Sequence, residues 1–478
     1  MTVRTRFAPS PTGYLHVGGI RTALFAYLVA KQNGGRLILR LEDTDKAREV
    51  PGSAEHLIAS LKSLGINYDE GPDVGGDFGP YKQSERLEIY TSWAQKLIDA
   101  GRAYADPYTP EEIQAFREKA QAEKRAFRYR DHRPENPPVW DGSQPLRFKS
   151  EPASYTYHDE VMGDITTSPE VIDDFILIKS DGYPTYNFAH IVDDAEMEIT
   201  HIIRGQEFIS SMPNYLALYE ALAVERPVFA HMPHVMNEQG NKKLGKRDGA
   251  KDVLEYERDG FLPEALVSCI ATLGWNDGTE QEIFTKSELI EKFSLARVQR
   301  SGARFDEKRL LWMNGHFIRE LPLDELANRV EYFWPETARK HPDSYKKQVL
   351  ALAQDRLKTL RDLPALTSYF FEEPSADWSL ISDNKQLKKL PEDEVRGLLN
   401  VAHDALRASE WNPEAIQNTL NGLLETTGQK PGVLFSLIRI VTTWAAFSPQ
   451  LNDTLALLGK DTVLARISAA LEHTVGNS

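Results

Sequence analysis

The sequence predicts an α/β domain interrupted by an insertion and followed by an all-α region, and three observations carry that prediction. Residues 5–21, TRFAPSPTGYLHVGGIR, have the pattern of a short strand, a glycine-bearing loop and the start of a helix. Residues 36–41, RLILRL, supply a second apolar strand after that helix, as a strand–helix–strand unit in a parallel sheet requires. Beyond Pro322 no strand alternation persists, and apolar residues recur only at helical spacing.

In the first unit Val3, Thr5 and Phe7 alternate with Arg4 and Arg6, and Pro9, Pro11 and Gly13 then forbid a regular continuation. Ile20, Ala23, Leu24, Tyr27 and Leu28 mark one helical face, which Asn33-Gly34-Gly35 ends. A loop of this kind lets backbone approach a ligand, because Gly18 and Gly19 lack Cβ, and the N–H groups that open a helix attract anions. An isolated glycine pair is more often an ordinary strand-to-helix turn. Here the donor His16 and the preceding Pro-Ser-Pro-Thr-Gly run favour phosphate binding. The loop lacks both GxGxxG and a terminal Lys-Ser, which disfavours a dinucleotide fold or a P-loop.

Glu42 follows the second strand at its carboxyl end, where ligands of open α/β sheets bind. Glu42 and Asp45 are therefore expected to face the same crevice as the His16 loop, although Asp45 also suits a helix-capping turn. Residues 53–65 form an amphipathic helix, and a Gly/Pro/Asp loop leads to another helix beginning near Ser84. From about residue 103 the βα rhythm lapses into a charged helix, a basic stretch and a Pro-rich segment, which together resemble an insertion. The α/β pattern resumes at 174–179 and continues to the strand EITHIIRG, which Arg204 ends. An arginine terminating a buried strand needs an anion, either Asp193 or Asp194 or the carboxylate of a ligand. After the apolar strand PVFAHMPHVM comes the cationic glycine loop NEQGNKKLGKRDGA, which taken alone is a solvated basic loop. Further helical patterns occupy 323–332, 345–360, 392–408, 414–425, 432–447 and 462–471, giving two helical subdomains.

A chain of 478 residues exceeds one usual core, and its 41% hydrophobic content supports globular packing. No apolar run reaches membrane length and the first residues lead straight into a strand, so a soluble cytoplasmic protein without membrane partners is expected. The single cysteine, Cys269, lies in the apolar helical pattern LPEALVSCIATL and is expected in a core. The net charge of −15 does not exclude a nucleic-acid partner, because basic residues cluster at 117–133 and again at 242–251. Those clusters equally suit solvated faces.

The run RFAPSPTGYLHVGG resembles the HIGH region of class I aminoacyl-tRNA synthetases, in the form found in bacterial glutamyl-tRNA synthetases. The resemblance continues in order through LRLEDTD, GPYKQSER, LIKSDGYPTYNFAHIVDD, IIRGQEF, KKLGKRDG, GFLPEAL and FDEKRLLWMNG. It implies a Rossmann-like nucleotide-binding catalytic domain (1–102 and 174–250) split by an acceptor-stem-binding insertion (103–173). A helical stem-contact domain (251–322) and two helical anticodon-binding subdomains (323–375 and 376–478) would follow. It implies ligation of L-glutamate to tRNA(Glu) through an adenylate, with ATP and Mg2+, by a monomer.

By the same resemblance His16, Lys243 and Lys246 act on the phosphates. Gly18, Gly19, Glu207, Phe208, Val235 and Leu244 join them around ATP, with Gly245 where the usual serine stands. Arg6, Ala8, Ser10, Glu42, Tyr186, His190 and Arg204 surround glutamate, with Glu42 on the α-ammonium. Asp45, Arg48, Trp312, Arg356 and Arg439 face tRNA. Some relatives stabilise the insertion with a cysteine-rich zinc site. Residues 104–108 contain no cysteine, and His132 and His158 lack ligand spacing, so no structural zinc and no other bound metal is expected. A non-discriminating enzyme that also charges tRNA(Gln), a truncated paralogue that modifies a tRNA base, and a silent tRNA-binding paralogue are the alternatives. The length of the chain disfavours the second.

Overall fold

The computed structural model describes residues 2–245 and 251–475. The chain forms two compact units, Met1–Tyr256 with Leu266–Glu307 and Glu257–Ala265 with Lys308–Ser478.

In the first unit eleven strands are described: β1 (Arg4–Phe7), β2 (Arg36–Leu39), β3 (Ala103–Ala105), β4 (Leu146–Phe148), β5 (Tyr155–Asp159), β6 (Gly163–Thr167), β7 (Ile176–Ile178), β8 (His201–Gly205), β9 (Val228–Met232), β10 (Val235–Met236) and β11 (Ala303–Arg304). Six of them make one sheet in the order β2-β1-β8-β9-β5-β6. It is parallel except for the β5–β6 hairpin. The helix Val17–Gln32 crosses from β1 to β2 and is buried along Ala23–Ala30. Parallel sheets are covered on both faces. The expected alternation in β1 therefore does not separate core from solvent: all four residues are buried, and the arginines carry partners inside. Arg4 forks onto Glu70 at 2.7 and 3.2 Å, and Tyr81 donates to the same carboxylate at 2.6 Å. Cys269 is buried, as its apolar setting implies.

A separate antiparallel sheet has the order β3-β4-β7. The pairing departs from the sequence reading at two places. β5 and β6, expected in the insertion, join the main sheet through β9, whereas β7, expected with the resumed α/β pattern, pairs with β4. Edge hydrogen bonding decides this, and the strands' composition does not encode it. The insertion helix Pro110–Ala122 starts on a Thr109–Glu112 capping box. Arg147 donates to Asp106 at 2.6 Å and stacks 3.4 Å over Tyr129, which itself donates to Asp106. Arg133 and Tyr104 both donate to Asp174, at 2.6 and 2.9 Å. The basic run is thus largely paired within the insertion: Arg125 meets Glu123, Arg128 meets Asp131, and Arg130 donates to the carbonyls of Pro169 and Ile172.

In the second unit the regular elements described after Pro322 are all helices, with no strand among them. One core gathers Leu262, Ile318, Leu326, Leu350 and Leu363, a second Ala338, Val349 and Tyr369–Phe371, and a third the helices Glu392–Ala408, Pro413–Thr427, Pro431–Thr443 and Lys460–Val475. The helix expected over 345–360 stops earlier. The α-helix Asp343–Ala353 gives way to a 3-10 turn, Gln354–Arg356, because the Gln354 amide donates to the carbonyls of Ile318 and Leu321, both at 2.9 Å. Asp362 then accepts from the backbone of Lys358 and Thr359 and starts a new turn.

The stop at Asn33-Gly34-Gly35 rests on two different uses of glycine. Gly34 has φ +60° with open space around it, whereas a Cβ on Gly35 would lie 2.1 Å from the Val3 carbonyl oxygen. Gly34→Ala should cost about 1–2 kcal/mol of backbone strain. Gly35→Ala must push β1 away from the chain entering β2 and should be the more damaging. Thermal unfolding midpoints should rank wild type above Gly34→Ala above Gly35→Ala.

Candidate active site

The chain leaves β1 at Phe7 and passes Ala8, partly buried, and Ser10, exposed, before His16 caps the helix Val17–Gln32. His16 Nδ1 accepts from the Gly18 N–H at 3.2 Å. A backbone N–H can only donate, so the ring proton is held on Nε2, leaving that atom a donor. Gly18 and Gly19 lie in the first helical turn, and the Gly18 N–H is engaged by this cap rather than left for an anion. The His16 backbone bridges to Asp252, whose carboxylate lies 3.3 Å from His56 Nε2, and Tyr14 stacks on His56 at 4.3 Å. Asp252 thus anchors the far end of the cationic loop beside His16, a contact that no motif in the sequence signals.

Under the carboxyl ends of β1, β2 and β8 lies a buried charge network. Arg6 Nε donates to Asp194 at 3.2 Å and its Nη1 to the Ile203 carbonyl at 3.3 Å. Arg40, fully buried, donates to Asp194 at 2.8 Å and to Glu42 at 3.0 Å. Burial pushes the Asp194 carboxyl up, but Arg6 and Arg40 outweigh it and hold it below its usual range. Glu42 balances the other way: burial prevails over Arg40 and Arg6 and raises its pKa to about 7. Asp193 is occupied by Gln83 and Arg86 at 2.8 Å and Tyr90 at 2.9 Å, which shows what the motif GPYKQSER does here.

Arg204, at the end of β8, is 5% exposed. Neither Asp193 nor Asp194 pairs with it. Its Nε donates to His231 Nε2 at 3.1 Å, its Nη1 faces His190 Nε2 at 3.4 Å, and its Nη2 faces the Met212 sulfur at 3.0 Å. Phe208 and Tyr215 lie under the guanidinium at 4.9 and 5.1 Å. Tyr186 stacks between His190, at 4.8 Å, and Phe208, at 5.3 Å. His190 Nδ1 donates to the Tyr186 carbonyl at 2.8 Å, and burial beside Arg204 lowers its pKa to about 3. Among the described residues, therefore, Arg204 meets only neutral acceptors and aromatic faces.

On the phosphate side Lys243 reaches Glu207 at 3.3 Å, and Glu207 lies 3.7 Å from His234. Leu244 and Val235 are buried and joined by a 2.8 Å backbone bond that sets the loop's entry. Lys246 and Arg247 lie outside the described residues. Asp45 and Arg48 are exposed, 3.7 Å apart, and Asp45 occupies an N-cap position without a side-chain cap bond. In the second unit Trp312 is half exposed. Arg356 is exposed, and among the described residues it has no ion pair with the adjacent Asp355. Arg439 donates to Ser448 at 2.9 Å, and its pKa is lowered by burial and, against the Tyr369 phenol, by the neighbouring Arg356 cation.

The sequence and the fold each have relatives. The family model for tRNA synthetases class I (E and Q), catalytic domain, matches residues 2–312, and that for an anticodon binding domain matches 325–471. Glutamate--tRNA ligase 1 of Fervidobacterium nodosum is 40% identical over 98% of this chain and 99% of its own length. The glutamate--tRNA ligase of Chloroflexus aurantiacus is 39% identical over 98% and 97%. Among solved structures, a glutamate tRNA ligase from Elizabethkingia meningosepticum in complex with its amino acid superposes with a TM-score of 0.87, at 32% identity over 99% of both chains. A sheet with its carboxyl ends lined by Arg6, Glu42 and Arg204, a histidine-capped helix after β1 and a helical region beyond Pro322 are what these matches span, and the chain belongs to the class I tRNA synthetases of the E and Q type.

Proposed function

We propose that this protein joins L-glutamate to tRNA(Glu) in the cytoplasm, as a monomer, in two steps at one site. The carboxylate of glutamate attacks the α-phosphorus of ATP, supplied as its magnesium complex, to form glutamyl-adenylate and release pyrophosphate. The terminal ribose hydroxyl of tRNA then attacks the acyl carbon, and AMP leaves. No protein nucleophile is needed.

Arg204 is the observation that carries this reading. A buried guanidinium that faces only neutral groups is poised for a carboxylate, and a neutral amide would leave its charge uncompensated. Arg6, Tyr186 and His190 complete the pocket for the glutamate side chain, Ala8 and Ser10 its backbone edge, and Glu42 holds the ammonium. His16, with its donor on Nε2, the opening of the helix Val17–Gln32, Lys243 and Lys246 stabilise charge on the phosphates. Glu207, Phe208, Val235 and Leu244 flank the nucleotide. The insertion at 103–173 carries the acceptor end, with Asp45, Arg48 and Trp312 beside the tRNA. The segments 323–375 and 376–478 carry the anticodon, with Arg356 and Arg439 contacting it. Charging purified tRNA(Glu) and tRNA(Gln), each with glutamate and with glutamine, tests the reading. Product is expected only from glutamate on tRNA(Glu), and product on tRNA(Gln) would make the enzyme non-discriminating.

Arg204→Ala should abolish glutamate-dependent, tRNA-dependent pyrophosphate exchange, since an unpaired buried carboxylate costs about 3–5 kcal/mol. Exchange near the wild-type rate would remove Arg204 from the substrate site.

Glu42 must be ionised to hold an ammonium, and its raised pKa of about 7 means that it gains a proton as pH falls through neutrality. The KM for glutamate should therefore climb between pH 8 and pH 6, by about tenfold per unit below that pKa. Glu42→Gln should give a high KM that does not vary with pH over this range.

Arg356 has donors only, which suit the O2 and N3 acceptors of a C in the third anticodon position and oppose the N1 and N2 donors of a G. Arg356→Gln adds an acceptor and should shift the ratio of specificity constants toward tRNA(Gln) by about 1–3 kcal/mol. An unchanged ratio would leave Arg356 a phosphate or surface residue.

A further inference from the structure

Arg204 and His231 are cross-strand neighbours in β8 and β9, and β9 is joined in turn to the end of β5 at Asp159. His231 and Asp159 are both fully buried. His231 Nδ1 lies 2.6 Å from Asp159 Oδ2, and its Nε2 lies 3.1 Å from Arg204 Nε. The two contacts are compatible with one protonation state alone. An ionised carboxylate accepts, so Nδ1 carries the proton, and a guanidinium donates, so Nε2 presents its lone pair.

Asp159 is itself held in one orientation. Its Oδ1 accepts from the backbone N–H of Val161 at 3.0 Å and of Met162 at 2.9 Å, and the His231 N–H lies 3.2 Å from both oxygens. Burial pushes the Asp159 carboxyl up, but the hydrogen bonds from His231 and these backbone groups outweigh it and keep it ionised. His231 stays neutral because burial and Arg204 lower its pKa more than Asp159 raises it.

We propose that Asp159 and His231 are positioning residues for amino-acid recognition: Asp159 fixes the His231 tautomer, and the Nε2 lone pair so presented aims the Arg204 guanidinium into the substrate crevice without neutralising it. A carboxylate in direct contact would orient Arg204 equally well but would cancel the charge that a substrate carboxylate needs. An imidazole separates the two tasks. The countercharge stays one ring away, and the acceptor at Arg204 is neutral. His190, with Nδ1 on the Tyr186 carbonyl, holds Nη1 by the same device. This inference rests on the assignment of Arg204 to the glutamate side chain.

Asp159→Asn is the decisive change. The amide oxygen remains opposite the Val161 and Met162 N–H groups, so its NH2 takes the place of Oδ2 and faces His231 Nδ1. The ring must then carry its proton on Nε2, which points a donor at Arg204. His231→Gln provides the control, because an amide can turn its oxygen to Arg204 whatever stands at position 159. With the full-length protein and purified tRNA(Glu), pyrophosphate exchange should show the KM for glutamate raised about tenfold or more in Asp159→Asn. The KM for ATP should stay within about twofold, as a change confined to amino-acid binding requires. Adding His231→Gln to Asp159→Asn should bring the glutamate KM back to within about threefold of wild type, and His231→Gln alone should lie in the same range while His231→Leu matches Asp159→Asn. An unchanged glutamate KM in Asp159→Asn, a parallel rise for both substrates, or no rescue in the double variant would overturn the proposal. If Asp159→Asn does not fold, equal glutamate KM values for His231→Gln and His231→Leu overturn it and the expected difference supports it. Absence of glutamate-dependent exchange in the unsubstituted protein would instead overturn the assigned function, and the inference with it.

Discussion

A parallel sheet covered on both faces offers no water to a charged side chain, yet β1, the segment after β2 and β8 each carry arginines into that interior. Arg4 meets Glu70, Arg6 and Arg40 share Asp194, Arg40 also meets Glu42, and Arg86 meets Asp193. Breaking such a pair strands a buried charge at a cost of about 3–5 kcal/mol. The carboxylates come from elements far apart in sequence, so satisfying these arginines ties the helix Tyr186–Glu196 and the loop bearing Glu70 to the edge of the sheet that forms the crevice. The position of the crevice follows from the pairing of its floor.

The same network sorts the protonation states above it. Glu42 shares its arginine with Asp194, and the divided attraction does not offset burial, so one carboxyl stays ionised and the other titrates near neutrality. His190 and His231, next to a cation and away from solvent, remain neutral and serve as acceptors. Among the described residues Arg204 is left facing no carboxylate, whereas Arg4, Arg6, Arg40 and Arg86 each have one. An interior can hold such a group because aromatic faces and lone pairs offset part of its desolvation.

Local pairing also explains how a chain of net charge −15 presents cations where an anionic partner is proposed to bind. The densest basic run, in the insertion, is largely tied to its own acids and carbonyls and builds that subdomain. Arg356 and Arg439, which no cluster announces, stand close enough that the Arg356 cation adds to burial in lowering the basicity of Arg439. Their mutual repulsion is relieved by an anion or by an acceptor-rich base edge.

The sequence by itself determined the first strand–helix–strand unit, the helical character beyond Pro322 and several helix ends, but not the strands of 103–173 or the break at Gln354. The helix after the first loop ends at Asn33 because Gly34 and Gly35 follow, Thr109 starts its helix through a capping box, and the region past Pro322 is helical because its apolar residues repeat at helical spacing. These are short-range effects, carried by residues within a turn of one another. His16, Glu42 and Arg204 were also legible as candidates, since each stands at the end of a predicted strand or at the start of a helix. Tertiary structure alone decided which partner each charge takes. Arg204 could equally have met Asp193 or Asp194, and it meets His231 because β8 lies beside β9 in one register, while Asp193 is occupied by residues 110 and 107 positions earlier in the chain. It also decided that β7 leaves the main sheet and that Asp252 returns to His16. Burial and strand register are properties of the packed molecule, and no local pattern of residues encodes either.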